Sequence, residues 1–199
     1  MNLNLATLLA AGLFASAPAF AADVVVDFDE PTSFASIGDF YADSLGVSFG
    51  LDILALQNDE LGPYYSNSPS PTGVMTVVGA DATMNFATGF TAASFWYSTT
   101  SFAIVNIYSG LDGTGDLLAA FALVDNATYG CSDSAYCNWN FASNAFNGVA
   151  HSITFANAEG AGFDNLTITA VPEPSQALLL SLGLAGVAYG ARRMSRKQA

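Results

Sequence analysis

Ala93-Ser94-Phe95-Trp96-Tyr97-Ser98 and Phe102-Ala103-Ile104-Val105-Asn106-Ile107-Tyr108 frame the polar break Thr99-Thr100-Ser101. Both runs are rich in aromatic and β-branched residues and carry no charge. Side chains of that kind suit a pleated, half-buried surface, and each run has the length of a strand. Working outward, further runs of the same type fall at Val24–Phe28, Val47–Ile53, Val74–Val78, Thr83–Phe86, Leu117–Val124, Asn138–Phe141, His151–Phe155 and Asn165–Thr169. Gly, Pro, Asn, Asp and Ser gather between them. No stretch shows sustained helical periodicity with caps, although Phe34–Tyr41 suits one short helical turn. This pattern predicts an all-β fold, an antiparallel β-sandwich or jelly roll. Phe95, Trp96, Tyr97, Phe102, Tyr108 and Phe121 are its expected aromatic core.

The two ends read differently. Residues 3–14 are mostly apolar and lead into Ala15-Ser16-Ala17-Pro18-Ala19-Phe20-Ala21. The A-x-A triplet ending at Ala21 is what signal peptidase cuts, so residues 1–21 are expected to be a secretory signal peptide delivered to the Sec translocon. At the other end, Val171-Pro172-Glu173-Pro174 precedes an uncharged stretch, Ser175 to Ala191, followed by Arg192-Arg193-Met194-Ser195-Arg196-Lys197. The stretch is at the short end of what spans a bilayer as a helix. The basic cluster belongs on the cytoplasmic side, leaving the body outside. The two prolines keep the approach extended. The expected organisation is therefore a signal peptide (1–21), an exported sandwich (22–170) and a C-terminal segment with a single hydrophobic helix (171–199).

Charge narrows the function. The 199 residues carry 17 acids, 4 Lys or Arg and 1 His, a formal net charge of -13. All four bases lie in the last eight residues, so the body has 16 acids and no Lys or Arg. Nucleic acid is excluded as a partner, because phosphate binding needs clustered cations. The carboxylates must be solvated, bonded to backbone N–H groups, or held on a metal.

The triplet Pro172-Glu173-Pro174, the apolar stretch and the arginines Arg192 and Arg193 together resemble the PEP-CTERM sorting signal of Gram-negative bacteria. The same tail pattern is also described as an ice-binding-protein C-terminal motif, but no Thr-x-Thr ladder is present in the body. The resemblance implies export, transient membrane anchoring and recognition by an exosortase near the triplet. It also implies association with exopolysaccharide and biofilm matrix, at the cell surface or outside it. In the body, Val26-Asp27-Phe28-Asp29-Glu30, Asp39-Phe40-Tyr41, Gly46-Val47-Ser48-Phe49 and Phe163-Asp164-Asn165-Leu166 are similar to jelly-roll carbohydrate-binding modules. That similarity implies pairing of the first and last strands and a structural Ca²⁺ held by Asp29, Glu30 and Asp164. Turn capping by these same residues is the alternative.

Cys131 and Cys137, in an exported chain, are expected to form a disulfide. The loop Ser109–Asp116 reads as a hairpin turn, with a calcium loop through Asp112 and Asp116 as the weaker reading. No nucleophile elbow, phosphate loop, dinucleotide fingerprint or zinc-protease motif is present, and His151 is the body's single histidine. The chain is therefore expected to be no enzyme but a matrix protein. The alternatives are a carbohydrate-binding domain stacking sugars on Trp139, Tyr64, Tyr65 or Trp96, and a glycoside-processing enzyme using paired carboxylates.

Overall fold

In the computed structural model, residues 21–60, 63–127, 131–171 and 183–188 are described. Ala22–Val171 form one unit. Its strands are β1 (Asp23–Val26), β2 (Val47–Phe49), β3 (Ile53–Leu56), β4 (Val74–Val77), β5 (Thr83–Ser98), β6 (Ala103–Tyr108), β7 (Leu117–Leu123), β8 (Asn140–Asn157) and β9 (Gly162–Ala170). A single helical turn, α1, spans Ala42–Leu45. It starts one residue beyond the stretch where a helical turn is expected.

The strands follow the order β3-β4-β9-β5-β8-β6-β7, with β1 also on β9 and β2 also on β5. All these pairings are antiparallel. Two long strands make this path a sandwich. The second half of β5 lies between β9 and the first half of β8, whereas its first half lies between β2 and the second half of β8. β6 joins β8 only along its second half, from Ser152 to Asn157. The pair β5–β8 thus crosses from one layer to the other. Its register breaks between Asn85 and Ala92, around Gly89. Gly89 has φ +87°, and a Cβ there would lie 2.4 Å from Val149 Cγ1, so the bend requires glycine.

The sequence divides these strands differently. Thr83–Phe86 and Ala93–Ser98 are the ends of one strand, as are Asn138–Phe141 and His151–Phe155 in large part. Val47–Ile53, read as one run, is broken by the turn Gly50–Asp52. Local composition marks where a chain bends but not whether it keeps its ladder through the bend.

Alternation along β5 sends Phe95 and Tyr97 inward, where both are buried. Phe95 sits among Phe121, Phe163 and Phe155 at ring distances of 4.7, 5.4 and 6.1 Å, all edge-to-face. Such pairs add to the roughly 25 cal/mol per Å² of apolar burial. The same alternation turns Trp96 outward, correcting its expected place in the core. Phe102 is 63% exposed at the turn before β6 and is no core residue either. A smaller cluster of Leu56, Tyr65 and Val74 packs with Tyr64, Tyr136 and Trp139 beneath the loops.

Residues 183–188 are helical and exposed. Among the described residues no helix is long and apolar enough to cross a membrane. The expected signal peptide, Pro172, Glu173, Pro174, Arg192, Arg193 and most of the apolar stretch lie outside the described residues.

Candidate cation site

β1 ends at Val26, and the chain reverses at Phe28, a buried residue with φ +63°. A bulky side chain in the left-handed region is strained, and such strain gathers at functional sites. The reversal directs the Asp27 carbonyl and the Asp29 carboxylate toward the same point. On the last strand, Asp164 is fully buried, and Asn165 beside it is also left-handed, with φ +48°. Between them comes Ser70, from the Ser/Pro loop that precedes β4.

The Ser70 hydroxyl lies 2.9 Å from Asp29 Oδ1, 2.9 Å from Asp164 Oδ1, 2.9 Å from the Gly73 carbonyl and 3.1 Å from the Asp27 carbonyl. A serine hydroxyl has one proton and satisfies one acceptor at a time. Four acceptor oxygens therefore compete for a single hydroxyl proton. Backbone N–H groups supply the rest. Asp164 accepts from Ser70 N at 2.7 Å and Asn165 N at 2.7 Å, and Asp29 accepts from Thr72 N at 3.0 Å and Gly73 N at 2.7 Å. Gly73 is needed here, because a Cβ on it would come within 2.1 Å of the Phe28 carbonyl oxygen.

Burial pushes the Asp164 carboxyl up to about 6, against the lowering by its Ser70 and Asn165 donors, and the nearby Asp29 charge raises it further. With no Lys or Arg before Arg192, the body provides no fixed cation to offset these two carboxylates. Two carboxylates, two carbonyls and a hydroxyl are hard oxygen donors of the kind Ca²⁺ takes, so the residues present fit that ion. Among the described residues there is no group of three or more His, Cys, Asp or Glu side chains suited to a metal. The gathering at Ser70 depends on neutral oxygens instead.

The fold thus brings Asp29 and Asp164 together, as pairing of the first and last strands implies. Glu30 is exposed and makes no hydrogen bond to the group. Together with burial and the Asp27 charge, it raises the hydroxyl of buried Tyr41 above its ordinary value. The sequence reading missed Ser70 and the two carbonyls. A serine in a Ser/Pro loop carries no local mark, and carbonyl ligands depend on backbone conformation.

The aromatic candidates hold loops together. Tyr65 is 2% exposed and donates to the Thr72 carbonyl at 2.7 Å, so it offers no face to a ligand. Trp139 is half-buried, stands perpendicular to Tyr65, and gives its indole N–H to the Ser66 carbonyl at 3.0 Å. Tyr64 packs edge-on against Phe34 and donates to Asp59. Cys131 and Cys137 form the expected disulfide. Its loop docks on the same segment through Ser66 N to the Tyr136 carbonyl at 2.8 Å, and Tyr136 reaches the Gly160 carbonyl. The loop after β6 is a hairpin, with Asp112 bonded both ways to Asn85.

Residues 170–196 match the PEP-CTERM protein-sorting motif. The chain carries this signal, which marks it as exported and implies an exosortase as the kind of partner that reads it. No curated protein matches the chain. Among solved structures, the K2 cleaved adhesin domain of Lys-gingipain is similar, with a TM-score of 0.50 at 13% identity over 74% of this chain and 99% of that one. A family 6 carbohydrate-binding module has a TM-score of 0.42 at 14% identity over 77% and 95%. At 13% identity the likeness to the adhesin domain is one of fold alone, an antiparallel β-sandwich.

Proposed function

We propose that this chain is a non-catalytic protein of the cell surface or extracellular matrix, sorted by its C-terminal signal and retained with exopolysaccharide. The observation that carries the reading is the sorting motif, which begins where β9 ends at Ala170. A calcium ion held by Asp29, Asp164, Ser70 and the carbonyls of Asp27 and Gly73 braces the first strand against the last. When bound it supplies the positive charge that the body lacks. It bears on structure, since a body without Lys or Arg has no fixed cation for stabilising an oxyanion. Calcium also offers a route to acidic matrix polymers, which otherwise meet only like charge.

Intact-mass spectrometry of the protein recovered from its own cell surface and medium tests the sorting. A chain beginning at Ala22 and ending near Pro172–Pro174 is expected, with any added mass identifying the anchor. A chain that keeps Ser175–Ala199 overturns exosortase processing. Retention in the matrix after chelation overturns the bridging role of calcium.

A second reading, a carbohydrate-binding domain, is favoured by one observation. Trp96 and Phe141 stand together on an outer sheet face, their rings 5.3 Å apart and tilted 52°, with Phe141 55% exposed. Paired aromatics left at a surface suit the apolar faces of sugar rings better than they suit water.

A further inference from the structure

We infer that the outer face of the β9–β5–β8 layer is a binding trough for a neutral polysaccharide, an inference that rests on the second reading above. Ladder pairing fixes what lies on this face. Val25, Thr167, Ser94 and Ser143 form one rung across four strands, and Asp23, Thr169, Ala92 and Ala145 form the next. Trp96 and Phe141 pair at the following position of β5 and β8. Small side chains on two adjacent rungs leave a groove of about 300 Å³ between Asp23 and the β8 edge. Trp96 and Phe141 do not line the groove itself; they lie just beyond its Ser94–Ser143 end, and from Trp96 to Ala92 the face runs about 13 Å along the strand. Residues 140–145 of β8 pair only with β5, and Phe141, Ser143 and Ala145 are exposed, so a polymer need not enter by the end of the trough.

The chemistry of the lining selects the ligand. The aromatic pair adds an apolar surface at one end of the groove. Among the described residues the Ser94 and Ser143 hydroxyls make no hydrogen bond to another side chain or to the backbone, so both remain open to a polyhydroxylated chain. No charged residue occurs from Ala82 to Leu111 or from Ser134 to Ala158. The one charge on the lining is Asp23, which accepts from Thr169 Oγ1 at 2.8 Å. A uronate or sulfated polymer finds no Lys or Arg here, only the α-amine of a chain beginning at Ala22, next to the Asp23 carboxylate, and meets the acidic body at a Coulombic penalty. An aminated polymer finds a single carboxylate here, Asp23, already engaged by Thr169. An uncharged polysaccharide meets neither obstacle, and its ring faces and hydroxyls match the apolar end and the floor.

Native affinity electrophoresis of the full exported chain, run in EDTA, tests this. The gels contain hydroxyethylcellulose, laminarin, dextran, xylan or galactomannan as neutral polymers, and alginate or polygalacturonate as acidic ones. At least one neutral polymer is expected to retard the chain, with neither acidic polymer doing so. Trp96→Ala is expected to weaken retardation about tenfold or more. Ser143→Glu, an exposed position where folding is not at stake, is expected to do the same by placing bulk and charge in the trough. Trp139→Ala is expected to leave it unchanged. Neutral-polymer retardation that survives both trough variants overturns the trough while leaving the carbohydrate reading standing. Retardation by alginate in EDTA overturns the neutral class. If no polymer retards the wild-type chain, the trough and the second reading both fall.

Discussion

Replacing Asp164 by Asn separates the charge of the buried carboxylate from its shape. Burial holds this group near 6, against an ordinary value of 3.8. In the metal-free protein the folded state therefore binds its proton more tightly than the unfolded chain does. The stability it contributes is fully present below about pH 4 and is lost as pH rises through about 6. A shift of about 2 units corresponds to about 3 kcal/mol, or roughly 6–12 °C in melting temperature for a body of this size. In EDTA, raising the pH from 4 to 7 is expected to shift the melting temperature of Asp164→Asn upward relative to the wild type by an amount approaching that figure, the amide NH2 set against the Ser70 or Asn165 N–H adding only a pH-independent offset. At pH 7, Ca²⁺ is expected to offset most of that difference. At one hundred times its dissociation constant it stabilises the wild type by about 2.7 kcal/mol, and the variant, having lost a ligand charge, gains much less. Differential scanning calorimetry from pH 4 to 7, with EDTA or Ca²⁺, reads both effects. The difference between the two proteins cancels the background repulsion among the other acids. The reasoning is refuted if the two melting curves run parallel in EDTA, or if Ca²⁺ raises both proteins equally.

Gly73→Ala is expected to lower the urea midpoint by the equivalent of about 3 kcal/mol or more, because its Cβ meets the Phe28 carbonyl and the backbone must move; an unchanged midpoint would show that the turn tolerates a side chain. Reducing the Cys131–Cys137 disulfide frees a seven-residue loop and is expected to cost about 2.4 kcal/mol. Calorimetry with a reductant measures that loss, and a red shift in tryptophan fluorescence should accompany it as Trp139 is released from Ser66. A melting temperature that does not move would mean that docking through Ser66 and Tyr136 holds the loop unaided. Phe95→Ala is expected to destabilise the body by about 3–5 kcal/mol, as measured by urea denaturation, because three aromatic neighbours lose their common contact.

The all-β architecture was legible because uncharged, β-branched and aromatic runs of strand length recur from Val24 to Thr169. The disulfide was legible from two cysteines in a chain with an export signal. The meeting of Asp29 with Asp164 could be anticipated from a likeness of short segments, but Ser70 could not. It is 41 residues from one partner and 94 from the other, and only the pairing of β9 with β1 and β4 joins them. Trp96 was misplaced for a simpler reason. Phe95-Trp96-Tyr97 is apolar at every position, so composition hides which member faces out, and period two decides it only once a neighbour is fixed. Tyr65 and Trp139 look like ligand aromatics in sequence because their bonding partners, Thr72 and Ser66, are loop residues with no pattern of their own.

The place of β9 bears on the order of events during export. The last strand of the body to emerge is inserted between β5 on one side and β1 and β4 on the other. Until residue 170 has crossed, the layer has a gap at its middle, two open edges and an oxygen group around Ser70 that lacks Asp164. Closure must then join residues more than a hundred positions apart, the slowest kind of contact for a chain to find. The ladder reaches Ala22, whose carbonyl accepts from Ala170 N at 2.9 Å. Completion of the fold is thereby timed to the arrival of the residues just ahead of the sorting triplet.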